Sequence, residues 1–202
     1  MYLKNLINAV ASLDSMPIEV EELTKHIIAA GCQDSIIFHP VDEDPGAFQG
    51  LFYQYTTHAG VYSTPDFVTL IVFSKHLPLE WQRLVCCKEL IHACDSDVER
   101  TNTADEVEAL LEKVLGPLTS QDFGLADLMA AKDKLAIYQA LALLFPPEAW
   151  AQALAYVKAA DDEAAAVERV ARWACIPKDL VAFALTDDWP SLRTALLDSW
   201  GE

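Results

Sequence analysis

The chain has 202 residues, 52% of them hydrophobic and 22% charged, enough for one domain with a small appendage and for a full buried core. Its 31 acidic and 14 basic residues give a formal net charge of −17, which excludes a general phosphate-binding surface, because affinity for nucleic acid rests on Lys and Arg; a basic protein partner suits it better. No apolar run reaches the length of a membrane span, the first residues lack the regions of a signal peptide, and the five cysteines are an odd count with two adjacent, so a reduced, cytoplasmic protein is expected.

Apolar residues recur at helical spacing over 3–13 (Leu3, Leu6, Ile7, Val10, Leu13) and over 17–30 (Val20, Leu23, Ile27, Ile28), which predicts two helices. The second opens on Pro17 and stops at Gly31. Residues 34–74 change character. Ile36–Phe38, Leu51–Thr56 and Phe67–Phe73 are rich in β-branched and aromatic residues, and turn-forming clusters at 42–46, 58–60 and 63–66 separate them. A helix is expected again from Pro78 to Ala93, with Leu79, Arg83, Cys86, Leu90 and Cys94 along one side. Another is expected near 104–115, ended by Gly116 and Pro117, and a long apolar one over 122–145, stopped by Pro146 and Pro147. The remainder, 148–202, reads as helical and alanine-rich, with breaks at Pro177 and Pro190. The expected fold class is α+β: a small antiparallel sheet packed with helices, followed by a helical C-terminal region.

The helix at 78–93 carries Cys87-Lys88-Glu89-Leu90-Ile91-His92. Zinc proteases place H-E-x-x-H on such a helix. The two histidines, four apart, share a face and bind the metal, and the glutamate acts on the bound water. Glu89 and His92 stand in that register, and Lys88 takes the place of the first ligand. A lysine at neutral pH has three donors and no lone pair, so it cannot ligate.

In this order the chain resembles the ImmA/IrrE family of zinc metallopeptidases over roughly residues 5–185. The strand Leu70–Ser74 and the run Leu77-Pro78-Leu79-Glu80-Trp81-Gln82-Arg83-Leu84 lead into the motif helix as they do in that family. The later run Asp133-Lys134-Leu135-Ala136 through Ala140–Pro146 is similar to its E-x-x-A-N-x-F-A-x-x-L-L-M-P helix, and Val167–Leu185 resembles its helical tail. The resemblance implies a zincin-like domain over 1–148 and a helical C-terminal region over 149–202. It implies Glu89 as general base, His92 as a zinc ligand and Asp133 in the place of the family's third ligand, a glutamate. The departures, Lys88 and Asp133, both fall on the metal site.

Three readings follow. In the first, Lys88 replaces the metal's charge among Glu89, Asp133 and Asp95, no cofactor is held, and the protein is a catalytically degenerate regulator that binds a protein partner. By resemblance that partner is a helix-turn-helix repressor or another regulator in a phage, mobile-element or stress circuit, and the acidic charge suits a basic, DNA-binding one. In the second, the protein is an active zinc endopeptidase with Glu89 as base, His92 and Asp133 as ligands, and an extra ligand from Cys87, Cys94, Asp95, His58 or His76. The third is a structural assembly protein that kept the scaffold. Plainer roles stand beside these: His92 as a core histidine, Glu89 as a solvated helix residue, and Asp133 as an exposed charge between Lys132 and Lys134. Cys86 and Cys87 read as packing residues, and His26 and His39 as surface. Phe52, Tyr53 and Tyr55 suit alternating faces of a strand whose edge can take up a peptide by β-addition. Trp150, Trp173, Trp189 and Trp200 read as packing anchors, any exposed one marking a partner surface.

Overall fold

The computed structural model describes residues 2–11, 13, 15–58, 64–93 and 125–198, and the backbone alone at 2–5, 125–133, 197 and 198. The expected helix near 104–115 lies outside the described residues. The chain opens with helices α1 (Tyr2–Val10) and α2 (Val20–Ala29). Strands β1 (Ser35–Val41), β2 (Gly50–Thr57) and β3 (Asp66–Ser74) follow, and then the motif helix α3 (Leu79–His92). Five helices complete the described chain: α4 (Leu125–Leu144), α5 (Pro147–Lys158), α6 (Glu163–Ala174), α7 (Lys178–Ala184) and α8 (Trp189–Asp198).

The α+β class is as expected, but the sheet is mixed rather than antiparallel. Its order is β1-β3-β2: β2 runs antiparallel to β3, whereas β1 runs parallel to it. The reason is topological. Val41 and Gly50 both lie at the Ser74 end of β3, so residues 42–49 cross that end and leave the central place to β3. The crossing is fixed by backbone bonds from Ser74 N–H to the Gln49 carbonyl (3.0 Å) and from Lys75 N–H to the Val41 carbonyl (3.0 Å).

Side-chain alternation gives the sheet two unlike faces. Ile36, Phe38, Phe52, Ile71 and Phe73 point into the core, beneath α3. On this same face Thr69, fully buried, donates to Asp34 Oδ2 (2.6 Å), and Gln54 Nε2 donates to both Asp34 Oδ2 (2.6 Å) and Thr69 Oγ1 (2.8 Å). That triangle satisfies the polar groups at the sheet's far end. On the outer face Ile37, Tyr53 and Tyr55 remain 45%, 38% and 36% exposed. The tyrosine rings stack 5.9 Å apart.

Helix α3 is not amphipathic with one packed side. Residues Arg83–Cys87 and Glu89–Ile91 are buried around its whole circumference, because it lies between the sheet, α2 and α4. Leu79, expected along one side with Arg83, Cys86 and Leu90, is exposed at its open first turn. Buried Arg83 donates from Nη1 to Glu19 Oε2 (2.7 Å) and from Nη2 to the Ile18 carbonyl, tying α3 to the start of α2.

Among the described residues one apolar core runs from Leu6 through Ile71, Leu90 and Leu141–Phe145 to Trp189. The C-terminal helices join it by specific anchors. Trp150 Nε1 donates to the Ala184 carbonyl (2.7 Å), and the Phe183 ring meets Tyr138 and buried Trp189 at 5.3 and 5.9 Å. Asp162 caps α6 by accepting from Ala165 N–H (3.0 Å), and Cys175 ends it in the left-handed conformation at φ 51°. Pro177 precedes α7 as expected, but Pro190 sits in the first turn of α8, where proline is tolerated; the break falls at 185–188 instead. Trp200 lies outside the described residues.

Candidate functional site

The motif residues lie where α3 crosses the start of β2. The approach is close enough to need glycine: a Cβ on Gly50 would stand 2.3 Å from Val85 Cγ1 and 3.1 Å from the Val72 carbonyl oxygen. The same point would be 3.7 Å from Glu89 Oε1, so the carboxylate hangs over the first residue of β2. Phe52, two residues along β2 on the same face, stacks on the His92 imidazole with centroids 5.5 Å apart and planes 14° from parallel.

Lys88 and Glu89 meet directly. Lys88 Nζ lies 2.9 Å from Glu89 Oε1, with side chains 13% and 4% exposed. Sequence neighbours on a helix diverge by about 100°, so contact requires the long lysine side chain to bend round the helix toward the glutamate. The pair is therefore a buried one, in which each charge depends on the other. The expected plain role of Glu89 as a solvated residue does not hold; Glu89 is buried.

Asp133 lies in α4, and only its backbone is described, so its expected meeting with Lys88 falls outside the described side chains, as do Cys94 and Asp95. The other residues named as extra ligands do not converge on His92. Cys87 is fully buried and directs its thiol at the Ala140 carbonyl of α4 (3.9 Å). His58 is exposed just beyond β2, and His76 pairs through Nε2 with Asp42 on the surface beyond β3. Lys75 completes that surface cluster, its Nζ 3.1 Å from Asp42 Oδ2, and together the His76 and Lys75 contacts hold the Asp42 carboxyl below its ordinary range. Among the described residues no three His, Cys, Asp or Glu side chains come together closely enough to share a metal ion. An ammonium, which has no lone pair to give a metal, stands where the H-E-x-x-H pattern has its first histidine, and it lies against the neighbouring carboxylate.

Cys86, on the same helix, is also silenced. Burial first, then the nearby Glu89 and Glu21 charges, push its thiol up to about 12. It packs, as does Cys87.

Comparison with known proteins gives no match: no protein-family model fits the chain, and neither the curated proteins nor the solved structures include one significantly similar to it. Among the described residues no helix is long and apolar enough to cross a membrane.

Two surface features were legible in the sequence only in part. The strand alternation does separate inward Phe52 from outward Tyr53 and Tyr55. Trp173 proves 39% exposed, the outcome that would mark a partner surface, whereas Trp189 is buried. Arg169 and Tyr156, which stand beside Trp173, were missed, because an i, i+4 pattern of polar and aromatic residues on a tail helix reads as ordinary solvated surface.

Proposed function

We propose that this protein is a catalytically degenerate, ImmA/IrrE-like metallopeptidase relative, zincin-like in fold, that acts by binding a protein partner. The observation that carries the reading is the buried contact between Lys88 and Glu89. It puts a fixed positive charge where the family's motif would have a zinc ligand, and it occupies the carboxylate that would act on the metal-bound water. His92, held against Phe52, is then a relic of the motif with a packing role.

Two further features support partner binding. Strand β2 is an edge of the described sheet, next to the motif helix, and an edge strand accepts an added strand through its backbone groups. The chain's net charge of −17 suits a basic partner such as a DNA-binding repressor.

The test is metal content of the purified protein by mass spectrometry, for wild type, Lys88→His and His92→Ala, each after zinc supplementation. The expected result is no stoichiometric zinc in wild type and uptake in Lys88→His. One zinc per wild-type chain, lost in His92→Ala, would overturn the reading in favour of a working endopeptidase. For the partner, binding to a basic helix-turn-helix protein should weaken as salt rises; binding insensitive to salt would remove the electrostatic argument.

A further inference from the structure

Helices α5 and α6 leave between them an open cleft of about 340 Å³, far from the motif in sequence. Gln152, Ala153 and Tyr156 line it from α5, and Arg169, Val170 and Trp173 from α6. The spacing i, i+1, i+4 is the same on both helices, so each contributes one floor residue, one aromatic wall and one polar rim residue. Ala153 and Val170 are the floor, 2% and 3% exposed, while the walls Tyr156 and Trp173 keep 46% and 39% of their surface open. The Arg169 guanidinium lies over the Tyr156 ring, 5.6 Å from its centroid, which fixes a cation at the rim.

The charge at this rim runs against the rest of the chain. Carboxylates outnumber Lys and Arg 31 to 14, yet among the described residues Arg169 makes no ion pair. Its neighbour Glu168 turns instead toward Lys178, at 3.9 Å. Two flat apolar walls, a small apolar floor and one directed guanidinium match a planar ring that bears an anionic head. The volume lies at the lower end of the roughly 300–1,000 Å³ typical of small-molecule sites.

We propose that this cleft is a binding site for a small aromatic carboxylate, its ring between Tyr156 and Trp173 and its carboxylate on Arg169. The site is separate from the partner surface argued above, since a basic partner would bring a cation against Arg169.

The test uses the full chain and two probes of equal shape, 1-naphthaleneacetate and its neutral amide. Binding is followed by the indole N–H resonance of Trp173, assigned with Trp173→Phe. The expected result is a saturable shift of that resonance with the acid, and binding of the amide weaker by roughly tenfold or more, the scale of one charge-assisted hydrogen bond. In Arg169→Gln, whose side chain is exposed and outside the core, acid and amide should bind alike. Three results would each overturn the proposal: no Trp173 shift at millimolar acid, equal affinity for acid and amide in wild type, or unchanged discrimination in Arg169→Gln.

Discussion

The motif helix and the α5–α6 hairpin treat a cation in opposite ways. The buried cations of α3 are answered from within: Lys88 by Glu89, and Arg83 by Glu19 and a backbone carbonyl. On α6, exposed Arg169 lies over an aromatic ring and makes no ion pair among the described residues. What separates the two is enclosure. A helix surrounded on all sides must neutralise its charges locally, because an unpaired buried charge costs several kcal/mol, whereas a helix at the surface can hold a charge for an external group. The same residue type is thus structural in one region and available in the other.

The sharpest way to break this contrast is to remove one member of the buried pair. Lys88→Met should destabilise the fold by about 3–5 kcal/mol in chemical denaturation, and the double variant Lys88→Met/Glu89→Leu should recover most of that. A single-variant loss under about 1 kcal/mol would mean that water already reaches the pair. Next comes Gly50→Ala, which forces a methyl into Val85 and should cost about 1–3 kcal/mol without changing the unfolding slope, read in the same denaturation series.

Cys86 tests whether enclosure also silences chemistry. Its thiol ordinarily ionises near 9.0 and in the fold only at about 12, so the folded state favours the protonated form. The stability it contributes is full below about pH 9 and is lost as pH rises toward about 12. Alkaline titration of stability in wild type and Cys86→Ala should therefore diverge above pH 9, and alkylation of Cys86 at pH 8 should wait on unfolding. The smallest effect sharpens the other side of the contrast: Arg169→Gln should change stability by no more than about 0.5 kcal/mol, as expected of a surface residue without an ion pair, checked by thermal melting.

How much of this was legible before the structure depended on the range of the interaction. Strand β3 and helix α3 were legible because their signals are local, in Phe67–Phe73 and in the run from Pro78 to Ala93. The parallel pairing of β1 with β3 was not, because nothing local to Ile36–Phe38 records which strand lies beside it. The exposure of Leu79 was not legible for a related reason: helical periodicity says which residues share a side, not where along the helix its neighbours begin. At the site, the register of Lys88, Glu89 and His92 was legible, and so was the meeting of Lys88 with a carboxylate. The expected contact of Lys88 with Glu89 is present at 2.9 Å; the way it is made, by a long side chain folding back round the helix, was not legible, since neighbouring helical positions point apart. The cleft escaped notice because its six lining residues come from two helices, neither of which carries more than an ordinary surface pattern.

The adjacency of Lys88 and Glu89 also bears on the order in which the molecule is assembled. Most buried ion pairs wait for two distant segments to meet, and one charge is stranded until they do. Here the partners are joined by a single peptide bond, so their encounter closes no loop and costs almost no chain entropy. Helix α3 can reach the sheet with these two charges already paired to each other, and β2 then closes over Glu89 at Gly50.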